Sequence, residues 1–278
     1  MPERGPRAPG APSRTVDVAG SPVRVLEAGD GPAVLLLHGS GPGTTGSGAW
    51  SATAAALSPS WRVVAPDHAG FGRTPLPAGS RGGLRVWTEQ AAGLMDALGI
   101  DTYAVVGHSM GGAVALALAA ARPRNVTAVV GVAAMGAPGA PLSPDLDAVW
   151  GATPDRRGAR DMLSRLFLDP AHVTEAAVEA RAEAMRADAS SFATMFPPPR
   201  ERWAEDLTLS SRELSEVRVP VLLVHGAQDR LTPLRTAALP FLDHLPDVRL
   251  HVLGRCGHVP AVEHPDAFHR LLAQFLVP

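Results

Sequence analysis

The residues best able to do chemistry stand in the stretch VVGHSMGGAVALALAA, Val105 to Ala120. Two valines ending a strand-like run lead into Gly107-His108-Ser109-Met110-Gly111, and an apolar helical run follows. Gly-x-Ser-x-Gly between a buried strand and a helix is the pattern of a nucleophile elbow. The turn is too sharp for side chains on its flanks, and it lifts the serine hydroxyl above the sheet. The helix starting at Met110 aims its N-terminal dipole and free N–H groups at the reacting centre. This predicts attack by Ser109 on a carbonyl carbon. A glycine-rich turn with an incidental serine would not need strand, turn and apolar helix to coincide.

A serine alcohol needs a base, and the base needs an orienting carboxylate. With the nucleophile on such an elbow, the acid follows it in the chain and the histidine comes last. VPVLLVHGAQDRLTP places Asp229 just past a later strand, and VRLHVLGRCGH delivers His258 from a glycine-bounded loop. Asp229 could instead only shape a turn, but Thr232-Pro233 already offers a cap and first position for a following helix. Among the histidines from the last strand-like run onward, His251 falls within the strand and His264 and His269 at the last helix, whereas His258 sits in a tight loop after that strand with a helix about seven residues on, which makes it the base. The oxyanion formed on attack needs preorganised N–H donors, each worth about 3 kcal/mol. Met110 N–H, directly after the nucleophile, is one. Ser40 N–H in HGSGPG, His38 to Gly43, is the other, in a loop whose glycines let the backbone approach a substrate. Cys256 is read as part of a structural loop, and Asp67 in PDHAGFGRT as a turn residue.

These groups need a scaffold. Strand-like runs recur at Val23–Gly29, Ala33–Gly39, Trp61–Asp67, Thr102–Gly107, Val126–Ala134, Val219–Gly226 and Val248–Gly254. Helical patterns fall at Thr88–Gly99, with Thr88 as N-cap, at Met110–Ala121 and from Pro265 to Leu276. Continuous Val/Leu/Ala strands separated by helices indicate a mostly parallel sheet covered on both faces, an α/β architecture. Between 136 and 214 no strand-like run occurs and Ala, Arg, Glu and Asp recur at helical spacing. The expected organisation is a tail at 1–13, a core at 14–135 and 215–278, and a helical cap at 136–214.

Composition narrows the function further. A chain of 278 residues that is 46% hydrophobic can bury a large core, and a net charge of −2 leaves no basic footprint for nucleic acid or anionic membrane. One cysteine excludes an internal disulfide and a Cys-based zinc site. No apolar run reaches the roughly 18 residues of a membrane span. The opening MPERGPRAPGAPSR lacks the apolar centre of a secretory signal, so a cytoplasmic location is expected.

LLLHGSGPG, GLMDALGI, GHSMGG, MFPPPRERW and RCGHVPAVEHPDAF resemble stretches of the meta-cleavage product hydrolases of the α/β-hydrolase superfamily, over nearly the whole chain from Val16. The resemblance implies the α/β-hydrolase fold, no cofactor and no metal. It also implies hydrolysis of a carbon–carbon bond in 2-hydroxy-6-oxo-hexa-2,4-dienoates, the ring-opened products of catechol-type aromatics. Gly41 belongs to the matching oxyanion loop. In that family a cap arginine binds the dienoate carboxylate, and the matching position is Arg181. At about 100° per residue Arg181 shares a helix face with Ala177, Val178, Ala184 and Met185. A guanidinium on that apolar stripe is costly unless paired, by a substrate carboxylate or by an internal partner such as a cap aspartate. Three site-lining positions depart from the family: its asparagine before the nucleophile is His108, its asparagine after the oxyanion loop is Ala49, and its tryptophan after the catalytic histidine is Val259.

The sequence therefore predicts a serine hydrolase using Ser109, Asp229 and His258 on a small-molecule carbonyl substrate, preferably at a carbon–carbon bond beside a ketone. The resemblance leaves a homodimer or higher homo-oligomer open. A carboxylesterase, lactonase or perhydrolase-type enzyme could run on the same residues. A non-catalytic ligand-binding protein would have no need of all three.

Overall fold

Val and Leu supply most of the strand interior, and their alternation divides the core into two layers. In β3 (Ala33–Leu37) all five residues are buried. Leu35 and Leu37 pack into one cluster, and Val34 and Leu36 into the other, as the two-residue side-chain period of a strand requires. The computed structural model describes residues 13–276. Residues 1–12 of the expected tail lie outside them, and Ser13 already begins a strand.

The sheet has eight strands. The first are β1 (Ser13–Val18), β2 (Ser21–Ala28), β3, β4 (Arg62–Pro66) and β5 (Tyr103–His108). β6 (Val126–Val132), β7 (Val221–Gly226) and β8 (Val248–Leu253) follow. Their spatial order is β1-β2-β4-β3-β5-β6-β7-β8. From β4 to β8 every pairing is parallel. β1–β2 and β2–β4 are antiparallel. β1 was not among the strand runs read from sequence, because SRTVDV buries only Val16 and Val18.

Helices α1 (Gly46–Leu57), α2 (Leu84–Ala97) and α3 (Met110–Ala121) are interleaved with the early strands. Trp50, Ala54 and Leu57 of α1 join Phe268 and Leu272 on one sheet face, while α2 and α3 cover the other. Thr88 does not cap α2, contrary to expectation. The helix starts at Leu84 with Gly83 as its N-cap, and the Thr88 hydroxyl donates to Leu84 O at 2.7 Å. Threonine can satisfy its hydroxyl in this way mid-helix as readily as at an end.

Between β6 and β7 lie only helices: α4 (Pro144–Trp150), α5 (Arg156–Leu166), α6 (Glu175–Met195), α7 (Glu201–Asp206) and α8 (Ser211–Ser215), with one 3-10 turn. After β8 come α9 (Pro260–Glu263) and α10 (Pro265–Phe275). No helix among the described residues is long and apolar enough to cross a membrane.

Candidate active site

Ser109 sits where β5 turns into α3, with φ 55° and ψ −118°. A non-glycine residue held in the left-handed region carries strain that the surroundings must impose. Here Ser109 N–H donates to Val132 O at 2.9 Å and Ser109 O accepts from Met135 N–H at 3.0 Å. The glycines are required by space. A Cβ on Gly107 would strike the Gly111 carbonyl, and one on Gly111 the Leu37 carbonyl, so strand, turn and helix can close only without side chains there.

Asp229 and His258, buried on the loops after β7 and β8, meet at 2.8 Å between Oδ2 and Nδ1. The two carboxylate oxygens divide their work. Oδ1 accepts from Leu231 N–H at 2.9 Å and Thr232 N–H at 3.1 Å, and Oδ2 takes the imidazole and the Thr232 hydroxyl at 2.7 Å. Asp229 thus shapes its turn and also orients the ring. Thr232 does not cap a helix as the sequence implied: the next turn has Pro233 at its N-cap with no side-chain bond. Its hydroxyl is spent on the carboxylate instead. Burial alone would raise the Asp229 carboxyl, but His258, His225 and the Thr232 hydroxyl outweigh it and bring it to about 2. An ionised Asp229 makes Nδ1 the protonated nitrogen of a neutral His258, which leaves Nε2 free to take a proton. Among the described residues no hydrogen bond joins Ser109 Oγ to His258. Both side chains border the same cavity of about 170 Å³, and such contacts often tighten only when substrate binds.

The start of the oxyanion loop is held from two sides of the site. His38 Nδ1 donates to Gly39 O at 2.8 Å, and its Nε2 accepts from His68 N–H at 2.9 Å. Burial lowers the pKa of both imidazoles. From the helical region, Trp150 Nε1 donates to Ser40 Oγ at 2.8 Å, with Phe196 stacked on the indole at 4.9 Å. Among the described residues Ser40 N–H and Met110 N–H have no protein acceptor. They are therefore available to a developing oxyanion.

Arg181, on α6, borders the cavity together with Gly41, His108 and Val259. Its Nη1 donates to Thr44 Oγ1 at 3.0 Å and to Pro42 O at 3.2 Å. None of the salt bridges among the described residues involves Arg181. The α6 aspartate that could have paired with it, Asp188, instead accepts from Gly72 N–H at 3.2 Å. Burial lowers the Arg181 pKa and Asp188 partly opposes this. The guanidinium remains charged, since arginine is not deprotonated in proteins.

Residues 32–265 match the alpha/beta hydrolase fold family. The chain belongs to the α/β-hydrolase family. It is 36% identical to the 2-hydroxymuconate semialdehyde hydrolase of Pseudomonas putida, over 84% of this chain and 82% of that protein. The 2-hydroxy-6-oxo-6-phenylhexa-2,4-dienoate hydrolase of Burkholderia cepacia is 30% identical, over 84% and 85%. Among solved structures, the meta-cleavage product hydrolase of Pseudomonas fluorescens IP01 superposes with a TM-score of 0.90 at 35% identity, covering 94% of this chain and 96% of that one.

Three groups that serve the site of this α/β hydrolase were not singled out from the sequence. Thr232 was read as a helix cap, though the Asp-x-x-Thr spacing does suit a reciprocal side-chain bond. Trp150 gave no signal, since its partner Ser40 lies 110 positions away. Glu263 accepts from Gly257 N–H at 2.9 Å and, through its other oxygen, from Leu168 N–H at 2.8 Å. It thereby ties the His258 loop to the segment after α5. Cys256 is buried in the same loop, and burial with Glu263 pushes its thiol up to about 12, so it stays an inert thiol.

Proposed function

We propose that this α/β hydrolase cleaves the carbon–carbon bond beside the 6-ketone of a 2-hydroxy-6-oxo-dienoate, with the helices between β6 and β7 acting as a cap over the cavity. The observation that carries this reading is Arg181, a half-buried cation that forms no salt bridge among the described residues, on the same cavity as Ser109 and His258. A neutral ester would leave that guanidinium unmatched, and a substrate carboxylate would satisfy it with charge-assisted hydrogen bonds. The names of the relatives point to the same substrate class.

In this mechanism Arg181 anchors the carboxylate, and His258 takes the 2-hydroxyl proton and returns it to C5. This ketonisation turns a poor carbanion leaving group into one that a 2-oxo group can delocalise. Ser109 then adds to the C6 carbonyl while its proton passes to His258 Nε2, and the Ser40 and Met110 amides hold the oxyanion. The C5–C6 bond breaks with its electrons entering the conjugated 2-oxo system, where the His258 proton neutralises them. Water activated by His258 releases the acyl group from Ser109 as a carboxylic acid. Loss of the visible absorbance of a ring-fission dienoate on adding enzyme tests the assignment. No loss, with rapid hydrolysis of an aryl ester, would reassign the protein as a carboxylesterase.

A further inference from the structure

β5 and β8 are three positions apart in the sheet. At about 4.8 Å per strand their ends are separated by roughly 14 Å, so the loop after β8 must run back across β7 and β6 to bring His258 to Ser109. Several contacts hold that loop. His258 N–H donates to Leu166 O at 2.8 Å, Glu263 holds the Gly257 amide, and Asp229 holds the ring. None of these anchors belongs to the nucleophile's own strand.

His108 does. Its Nε2 lies 2.8 Å from the main-chain oxygen of His258. A carbonyl can only accept, so Nε2 carries the hydrogen and donates. The two rings lie 4.7 Å apart, tilted by 55°. Because His108 directly precedes Ser109 at the end of a rigid strand, this hydrogen bond refers the base to the nucleophile through the backbone.

We infer that His108 is a positioning residue, holding His258 over Ser109 by gripping the carbonyl of the base itself. In the resting enzyme this bond supplies the restraint that a direct Oγ–Nε2 hydrogen bond would give. The His108 ring is also suited to stand beside an imidazolium. Burial foremost, and then the charge of His258, push it down to about 3, against the opposing pull of its own bond to the His258 carbonyl and of Asp229. It therefore stays neutral when His258 takes up a proton.

The inference rests on Ser109 and His258 being nucleophile and base, but not on the identity of the substrate. The test is accordingly the rate at which a fluorophosphonate–rhodamine probe labels Ser109. His108→Leu keeps bulk and loses the donor, and His108→Gln places an amide N–H near the position of Nε2. We expect labelling to slow about 10- to 100-fold in His108→Leu, the scale of one or two lost hydrogen-bond restraints. In His108→Gln it should recover to within about threefold of wild type. With a dienoate, the loss should fall on kcat rather than KM. Wild-type labelling by His108→Leu would overturn the inference, as would equal loss in both variants. Nitrogen-15 spectra of the wild-type protein give a check independent of any variant's folding. His108 should be the Nε2–H tautomer, and an Nδ1–H tautomer would refute the proposed bond. Normal labelling without dienoate turnover would instead count against the substrate assignment.

Discussion

The two rims of the cavity are held in different ways. On the sheet side, Ser109, Asp229 and His258 leave strand ends and are fixed largely by main chain: a strained φ, glycines with no room for a Cβ, and carboxylate bonds to backbone amides. On the helical side, Arg181 and Trp150 are held by their own side-chain tips, through Thr44, Pro42 and Ser40. Both tips end on the oxyanion loop. A Cβ on Gly43 of that loop would lie 2.7 Å from Met185 N, so loop and α6 are in direct contact. Under the proposed function the sheet side makes and breaks bonds, and the helical side selects what enters. The oxyanion loop is where the two meet.

That division is open to attack. The largest effects should come from the sheet side and be blind to substrate. Ser109→Ala and Asp229→Asn should each lower kcat by about 10⁴-fold or more, for a dienoate and an aryl ester alike. An Asp229→Asn loss confined to one substrate would break the comparison. On the helical side, Arg181→Met should lower kcat/KM for the dienoate by about 10²-fold, the scale of a lost buried charge pair. Hydrolysis of a neutral ester should change less than about threefold. Equal loss on both substrates would mean that Arg181 supports the oxyanion loop rather than the substrate.

The same difference governs what could be read from the sequence. Gly107, Ser109 and Gly111 were legible because a turn that sharp admits few residue types, so geometry leaves a mark on local sequence. Asp229 and His258 were legible from their places after strands. The helical rim was not, apart from Arg181, because a side chain meeting a partner over 100 positions away leaves no local pattern. Trp150 is the clearest case. Thr88 and Thr232 show the converse: threonine suits a helix cap, an internal hydroxyl bond or a carboxylate contact equally. Here tertiary context chose the second for Thr88 and the third for Thr232.

Trp150 tests whether the rims communicate. Trp150→Phe keeps an aromatic ring against Phe196 but removes the bond to Ser40 Oγ, worth about 1 kcal/mol. The expected result is a roughly fivefold fall in kcat for both substrates, with thermal stability little changed. A purely selective helical rim would show the loss for only one substrate. Steady-state kinetics with the dienoate and the ester side by side decide between these.

The smallest effect concerns the sheet side alone and separates stability from activity. His68 is buried beneath the oxyanion loop, its Nε2 has no partner, and its ring lies 4.5 Å from that of His38. Burial first, then His38, hold its pKa well below the ordinary 6.5. A histidine depressed in the folded state takes up its proton first in the unfolded chain. Stability is therefore unaffected above about pH 6.5 and falls as pH drops from there toward the folded pKa. His68→Phe removes both the titration and the unpaired nitrogen while keeping an aromatic ring, and the main-chain N–H that bonds His38 is untouched. At pH 7.5 the variant should match or slightly exceed the wild-type melting temperature. Between pH 6.5 and 5 its melting temperature should fall less steeply than that of wild type, in scans taken at matched ionic strength. An equal slope would mean that His68 takes up its proton as readily when folded as when unfolded, and the acid sensitivity would then belong to His38, His108, His225 or His269, whose pKa values are also lowered by burial.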